Sequence, residues 1–165
     1  MNERNGKEKV LRQNRVPERG GPRVDVVRLK GGECLTFCIL SPSFWGFVIH
    51  WDERKRRSAA CCEKRENCEG CRNELPQKWR GYLCVISQNK GKVFLEFTKE
   101  AANRLLDLVG DGESLRGLHF FLERTRSDNG RLRPRLLSTR EDPDKLPADE
   151  DPEPILRFLW DWRRQ

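Results

Sequence analysis

Four cysteines fall within eleven consecutive positions, and a histidine stands eleven residues ahead of them: His50, then Cys61 and Cys62, then Cys68-Glu69-Gly70-Cys71. Nothing else in the chain restricts its folding as strongly. A C-x2-C pair delivers two thiolates from one tight turn, and Gly70 permits the bend that this needs. Zn²⁺ takes four nitrogen or sulfur ligands in a tetrahedron. Cys68 and Cys71 supply two of them, and Cys61 or Cys62 a third. The fourth is either the other member of that pair or His50. His50 is the better choice, because adjacent cysteines seldom both reach one ion and because His50 ends an apolar run that reads as a strand. A structural zinc would tie down a charged loop that has too little apolar surface to fold alone, with apparent binding energies on the order of 10–16 kcal/mol.

The remaining cysteines, Cys34, Cys38 and Cys84, sit in apolar strand contexts and read as small core residues. Only two histidines exist, His50 and His119, and no acidic cluster falls at metal-ligand spacing. A metal-dependent hydrolase is therefore not expected, and neither is any other enzyme, although Glu63, Glu66 and Glu69 lie inside the cysteine loop. The N-terminal sequence MNERNGKEKVLRQNR lacks the apolar core of an export signal, and no apolar run approaches the roughly 20 residues that span a bilayer. Clustered thiols without an export signal point to a reducing compartment, so the expected location is cytoplasmic, at the nucleoid in a bacterium. Neither a membrane nor a small-molecule substrate is expected as a partner.

Charge is abundant and unevenly spread. Of 165 residues, 36% are charged and 36% hydrophobic, and the net charge is +7. Residues 1–30 carry nine basic and four acidic side chains, whereas residues 141–154 carry seven acidic side chains and only Lys145. The sequence thus divides into a basic disordered arm (1–22), a folded body (23–140) with the zinc loop at about 50–78, an acidic linker (141–154) and a C-terminal helix (155–165) bearing Ile155, Leu156, Leu159 and Trp160 on one side.

Within the body, residues 24–29, 33–40 and 44–51 read as strands, and 52–78 shows no regular period. Residues 79–87 and 92–98 read as a hairpin around Asn89-Lys90-Gly91. Thr98 suits the N-cap of a helix over 99–109, with Ala102, Leu105, Leu106 and Val109 as its buried stripe and Gly110 at its end. A last hairpin spans 115–125 and 131–138 around Ser127-Asp128-Asn129-Gly130. The order predicts a mainly β fold: a five-stranded OB-like Greek-key barrel with an inserted zinc loop, one helix between the third and fourth strands, and a C-terminal helix. An SH3-like barrel and a small α+β sheet are the rival architectures.

A basic body with exposed aromatic side chains suits a flexible polyanion. Along residues 44–51, Trp45, Phe47, Ile49 and Trp51 share one face. A barrel strand buries one face only, so rings left outside can stack on unpaired bases. Arg54, Lys55, Arg56 and Arg57 follow directly and can neutralise phosphates. Trp79, Arg80 and Tyr82 add two rings and a cation. Arg131, Arg133 and Arg135 alternate along the last strand, with Arg124 and Arg126 on the strand before it. A solvated charged face is the plainer reading of such arginines. Phosphate contact is preferred because it relieves their mutual repulsion.

The order His, Cys, then C-x2-C, met here by His50, Cys61 or Cys62, Cys68 and Cys71, resembles that of the phage-type zinc-containing single-stranded DNA-binding proteins. The resemblance implies an OB-fold with a zinc subdomain among its strands. It also implies low-specificity binding of single-stranded DNA, more than RNA, in replication, recombination or a mobile element. Members carry an acidic C-terminal region that recruits partners and competes for the binding cleft. Residues 141–154 look similar in charge, but an apolar segment and Arg163-Arg164 follow them here. The competing expectation is a zinc-stabilised adaptor, or a subunit of a larger nucleoprotein complex, that meets a protein partner through residues 141–165.

Overall fold

The computed structural model describes residues 24–61, 65–127 and 130–159. The basic arm, Cys62 and Trp160 lie outside them. The described chain is mainly β, with an open mixed sheet and three helices. Its strands are β1 (Asp25–Val27), β2 (Cys34–Ile39), β3 (Trp45–Asp52), β4 (Arg57–Ala60), β5 (Gln77–Ser87), β6 (Gly91–Thr98), β7 (Leu118–Arg124) and β8 (Leu132–Arg140). Its helices are α1 (Glu69–Arg72), α2 (Lys99–Val109) and α3 (Glu153–Leu159).

The spine of the sheet is β5, whose eleven residues are long enough to carry two neighbours on one edge. On one side it pairs antiparallel with β6 from Arg80↔Thr98 to Ser87↔Gly91. On the other side its first half pairs with β3 and its last residues pair with β2. The main path runs β1-β6-β5-β2-β7-β8, with β3 and its hairpin partner β4 branching from β5. The parallel pairing of β1 with β6 makes the sheet mixed.

Both faces of this sheet are packed over β5. One face carries Leu35, Phe37, Ile39, Leu83, Val85, Leu95, Phe97 and Phe120, and α2 covers it through Ala101, Ala102 and Leu105. The opposite face carries Val26, Tyr82, Cys84 and Phe94, and residues from the C-terminal segment cover it, namely Leu146, Ile155, Leu156 and Leu159. That segment is fastened by polar contacts as well. Arg116 donates to the carbonyls of Leu40, Pro143, Leu146 and Pro147. Ser41 Oγ donates to Asp149, and Lys92 pairs with Glu150 at 2.7 Å.

A pair of glycines shapes the junction of β3 and β5. Gly46 and Gly81 are register partners, and the Trp79 indole lies across both. A Cβ at either position would collide with the ring. The glycines therefore admit a large aromatic group flat against two strands, where it meets Phe44 edge-on at 6.1 Å.

The sequence expectations hold for seven strands and for α2, whose Thr98 side chain accepts the Ala101 N–H. Three differ. Residues 52–78, expected to lack regular structure, contain β4 and α1. The segment Arg57-Ser58-Ala59-Ala60 has no strand-like composition, and its extended form comes from pairing with β3. Second, Leu106 is 42% exposed, and Ala101 replaces it in the buried stripe, because β8 and the sheet approach α2 from the Ala101–Leu105 side. Third, Cys34 is exposed, since β2 begins there with its odd side chains inward. Cys38 and Cys84 are buried.

These placements separate two neighbouring leucines. Leu105→Ala is expected to cost about 2–5 kcal/mol in urea unfolding, by transfer and cavity terms. Leu106→Ala should stay within roughly 0.5 kcal/mol of the parent.

Candidate metal centre and aromatic-basic face

The ligand atoms of His50, Cys61, Cys68 and Cys71 all lie within 4.8 Å of one another. Three chain segments bring them together. His50 sits near the end of β3, held on both sides by Ala59 of β4 and Gln77 of β5. Cys61 follows β4, and its N–H donates to Val48 O at 2.8 Å, which extends the hairpin by one step. Cys68 precedes α1 and Cys71 lies within it. The turn is closed by Arg72 N donating to Cys68 O at 2.9 Å and Leu75 N donating to Gly70 O at 2.9 Å. Gly70 faces the His50 imidazole so closely that a Cβ would collide with the ring. Only glycine lets α1 lie against β3 at this point.

The geometry suits a metal ion such as zinc. Cys61 Sγ is 3.6 Å from Cys71 Sγ and 3.9 Å from Cys68 Sγ, and Cys71 Sγ is 3.4 Å from His50 Nε2. A tetrahedron with metal–sulfur and metal–nitrogen lengths of about 2.3 and 2.1 Å has edges of about 3.8 and 3.6 Å. The three separations just given stand close to those lengths, and every other pair lies within 4.8 Å. His50 Nδ1 donates to the Leu75 carbonyl at 3.2 Å. A carbonyl can only accept, so the proton is on Nδ1 and the Nε2 lone pair is left for the cluster. Gln77 Nε2 donates to Cys71 Sγ at 3.7 Å, giving that sulfur an outer partner. Without a cation, burial and the neighbouring thiols Cys71 and Cys68 push the Cys61 thiol up to about 12. A divalent cation reverses that balance, because it stabilises thiolates directly.

The hairpin above this centre is pinned to it. Lys55 Nζ pairs with Glu69 of α1 at 2.9 Å and holds the Glu69 carboxyl below its usual value. Arg54, Arg56 and Arg57 stand exposed at the tip.

The aromatic residues divide between the two faces. Trp45, Phe47 and Trp51 lie on the face shared with Arg80 and Tyr82, as register with β5 requires. Trp45 is 44% exposed, and Phe47 stacks on Tyr82 at 5.8 Å and 12°. Tyr82 is fully buried and donates its hydroxyl to Glu96 at 2.7 Å. Glu96 also accepts from Arg28 at 2.8 Å and draws Arg80 to 3.6 Å. Trp79 belongs to the opposite face, over the glycine pair.

The arginines of the last hairpin also separate. Arg124 turns inward and donates to the carbonyls of Gly130 and Leu29. Arg126 lies against Gly32. Arg131, Arg133 and Arg135 are exposed or nearly so, with Arg135 over the Phe121 ring at 5.0 Å and Arg131 reaching Glu100 at 4.0 Å. Comparison with family models, with curated proteins and with solved structures finds no match.

Adding Zn²⁺ to the metal-free protein in weakly buffered solution at neutral pH is expected to release about one proton per thiolate formed. A cluster that takes up no metal would release none. Cys68→Ser should abolish most of the release and lower hydrogen-exchange protection in β4, while α2 stays protected.

Proposed function

We propose that the chain is a zinc-stabilised, single-stranded nucleic-acid-binding protein of low sequence specificity, and not an enzyme. The observation that carries this reading is β3 itself, which bears the exposed Trp45 ring at its start and runs into the basic hairpin tip at its end, the end that the His50–Cys71 cluster adjoins. Zinc is the ion best suited to three cysteines and one histidine in a closed tetrahedral set. Its task here is structural: it fixes β3, β4 and α1 relative to one another.

The strand order supports an OB-like architecture. Five strands run β6-β5-β2-β7-β8, with α2 between β6 and β7. With β2 and β3 taken together as one bent first strand, this is the order of an OB barrel opened between its third and fifth strands. Such folds bind unpaired strands by stacking bases on rings and tracking phosphates with cations. Trp45 and Trp51 offer the rings. Arg54, Arg56 and Arg57 offer the cations, and Arg133 and Arg135 offer more on the outer side of β8. Arg124 and Trp79 support the scaffold and do not reach the strand. DNA is the first substrate to test, and replication, recombination or a mobile element is the setting. A cytoplasmic location follows from that role.

The adaptor reading relied on a free apolar helix. Leu146, Ile155, Leu156 and Leu159 instead pack on the chain's own sheet. That favours nucleic acid over a protein partner at this segment.

Anisotropy titration with a labelled single-stranded oligonucleotide at two salt concentrations tests the proposal. Trp45→Ala is expected to weaken binding by about 1–3 kcal/mol. Replacing Arg54, Arg56 and Arg57 together by alanine should reduce the salt slope by about 2, at about 0.7 per lost phosphate contact. No binding to single strands at low salt, or a preference for duplex, would sink the reading.

A further inference from the structure

A second set of metal-type donors lies on the other side of the sheet. Cys38 of β2 and His119 of β7 are register partners, so their side chains emerge side by side on one face. Glu141 follows β8 directly, and its carboxylate meets the same point. Cys38 Sγ, an imidazole nitrogen of His119 and a Glu141 oxygen all lie within 4.8 Å of one another. The three residues come from strands far apart in sequence, and only the pairing of β2, β7 and β8 unites them.

The backbone holds this arrangement rigidly. Glu141 N donates to Gly117 O at 2.9 Å. Gly117 has φ +88, and a Cβ there would press on the Glu141 carbonyl. Glycine at 117 thus allows the chain leaving β8 to pass directly over the start of β7. Two residues further on, Arg116 clamps Pro143, Leu146 and Pro147 through their carbonyls. Glu141 is therefore delivered to His119 by fixed backbone on both sides.

We infer that Cys38, His119 and Glu141 form a second binding site for a divalent transition metal of zinc-like chemistry, independent of the first. Thiolate, imidazole and carboxylate are a donor set that such ions accept, and three protein ligands leave a fourth position. Cys38 is buried and Glu141 is exposed, so the cluster is reached from the Glu141 side. His119 Nε2 donates to Glu141 Oε1 at 2.8 Å. A metal at Nε2 would leave the imidazole proton on Nδ1 and part the two groups to about 3.4 Å, a displacement the exposed carboxylate can make. Burial first, and then the Glu141 charge, push the Cys38 thiol up to about 11. That thiol is a poor free nucleophile, so a cysteine-based catalytic triad is not the reading these groups favour. A bound cation would take the thiolate, and the thiol proton would pass to solvent.

The test is metal stoichiometry of the full chain, by Co²⁺ titration followed in absorbance and by elemental analysis. The wild-type chain is expected to hold one more equivalent than Cys38→Ala or His119→Ala, with a single-thiolate charge-transfer band in the difference spectrum. Glu141→Gln, at an exposed side chain that leaves folding intact, should loosen that equivalent by at least about tenfold. Because the reading is a difference between chains, it does not depend on whether the His50 cluster fills. Equal stoichiometry and equal affinity in the wild type and Glu141→Gln would overturn the inference.

Discussion

The convergence of His50, Cys61, Cys68 and Cys71 on one point is the constraint around which β3, β4 and α1 are arranged. Between β3 and β5 the chain is charged and nearly devoid of large apolar side chains. Fixing each residue costs about 1–2 kcal/mol of backbone entropy, and apolar burial in this stretch is too small to offset that. Four metal-type donors from three segments meet there, and the zinc ion proposed above would supply the missing constraint. The sheet in turn prepares the site, since His50 is held by strands on both sides before any ion arrives, and its Nδ1 proton is fixed on the Leu75 carbonyl. On the zinc-bound reading proposed above, metal and sheet would be mutually dependent: the sheet presents the nitrogen, and the ion would hold the polar loop against the sheet.

A second consequence follows from the length of β5. It carries β2 and β3 on one edge, and the two faces over it have different covers. The helix α2 closes one face and residues 146–159 close the other. Trp45 shares a face with Tyr82 yet lies outside that second core, and it stands 44% exposed.

That point also explains what the sequence could and could not disclose. Period-2 alternation located Trp45, Phe47 and Trp51 on one face, and ligand spacing brought His50 and three cysteines into one cluster. Both signals are local, and each follows from strand or turn geometry alone. The side on which Trp79 lies also follows from alternation, but its use follows from Gly46, which is 33 residues away and meets Gly81 only through pairing. The strand β4 was invisible because Arg57-Ser58-Ala59-Ala60 is extended only by its partner. The inward turn of Arg124 depends on carbonyls of Leu29 and Gly130, and the meeting of Cys38, His119 and Glu141 depends on three strand pairings. What remained hidden was set by pairing and contacts between segments, most of them distant in sequence, to which composition is blind.

On the nucleic-acid-binding function proposed above, the acidic segment would set where a polyanion lies. Its carboxylates are not idle: Glu150 meets Lys92, Asp149 accepts from Ser41, and Glu141 accepts from His119. These contacts fix negative charge along the middle of the face that also carries Phe47 and Tyr82. Like charge repels a phosphate chain from that middle, and over a Debye length of about 8–10 Å the repulsion is local. The hairpin tip of Arg54, Arg56 and Arg57 and the outer arginines of β8 lie to either side of the segment. The same segment that covers the second apolar face therefore also sets negative charge between two basic margins, and on the proposed function those margins are where a flexible anion would be attracted.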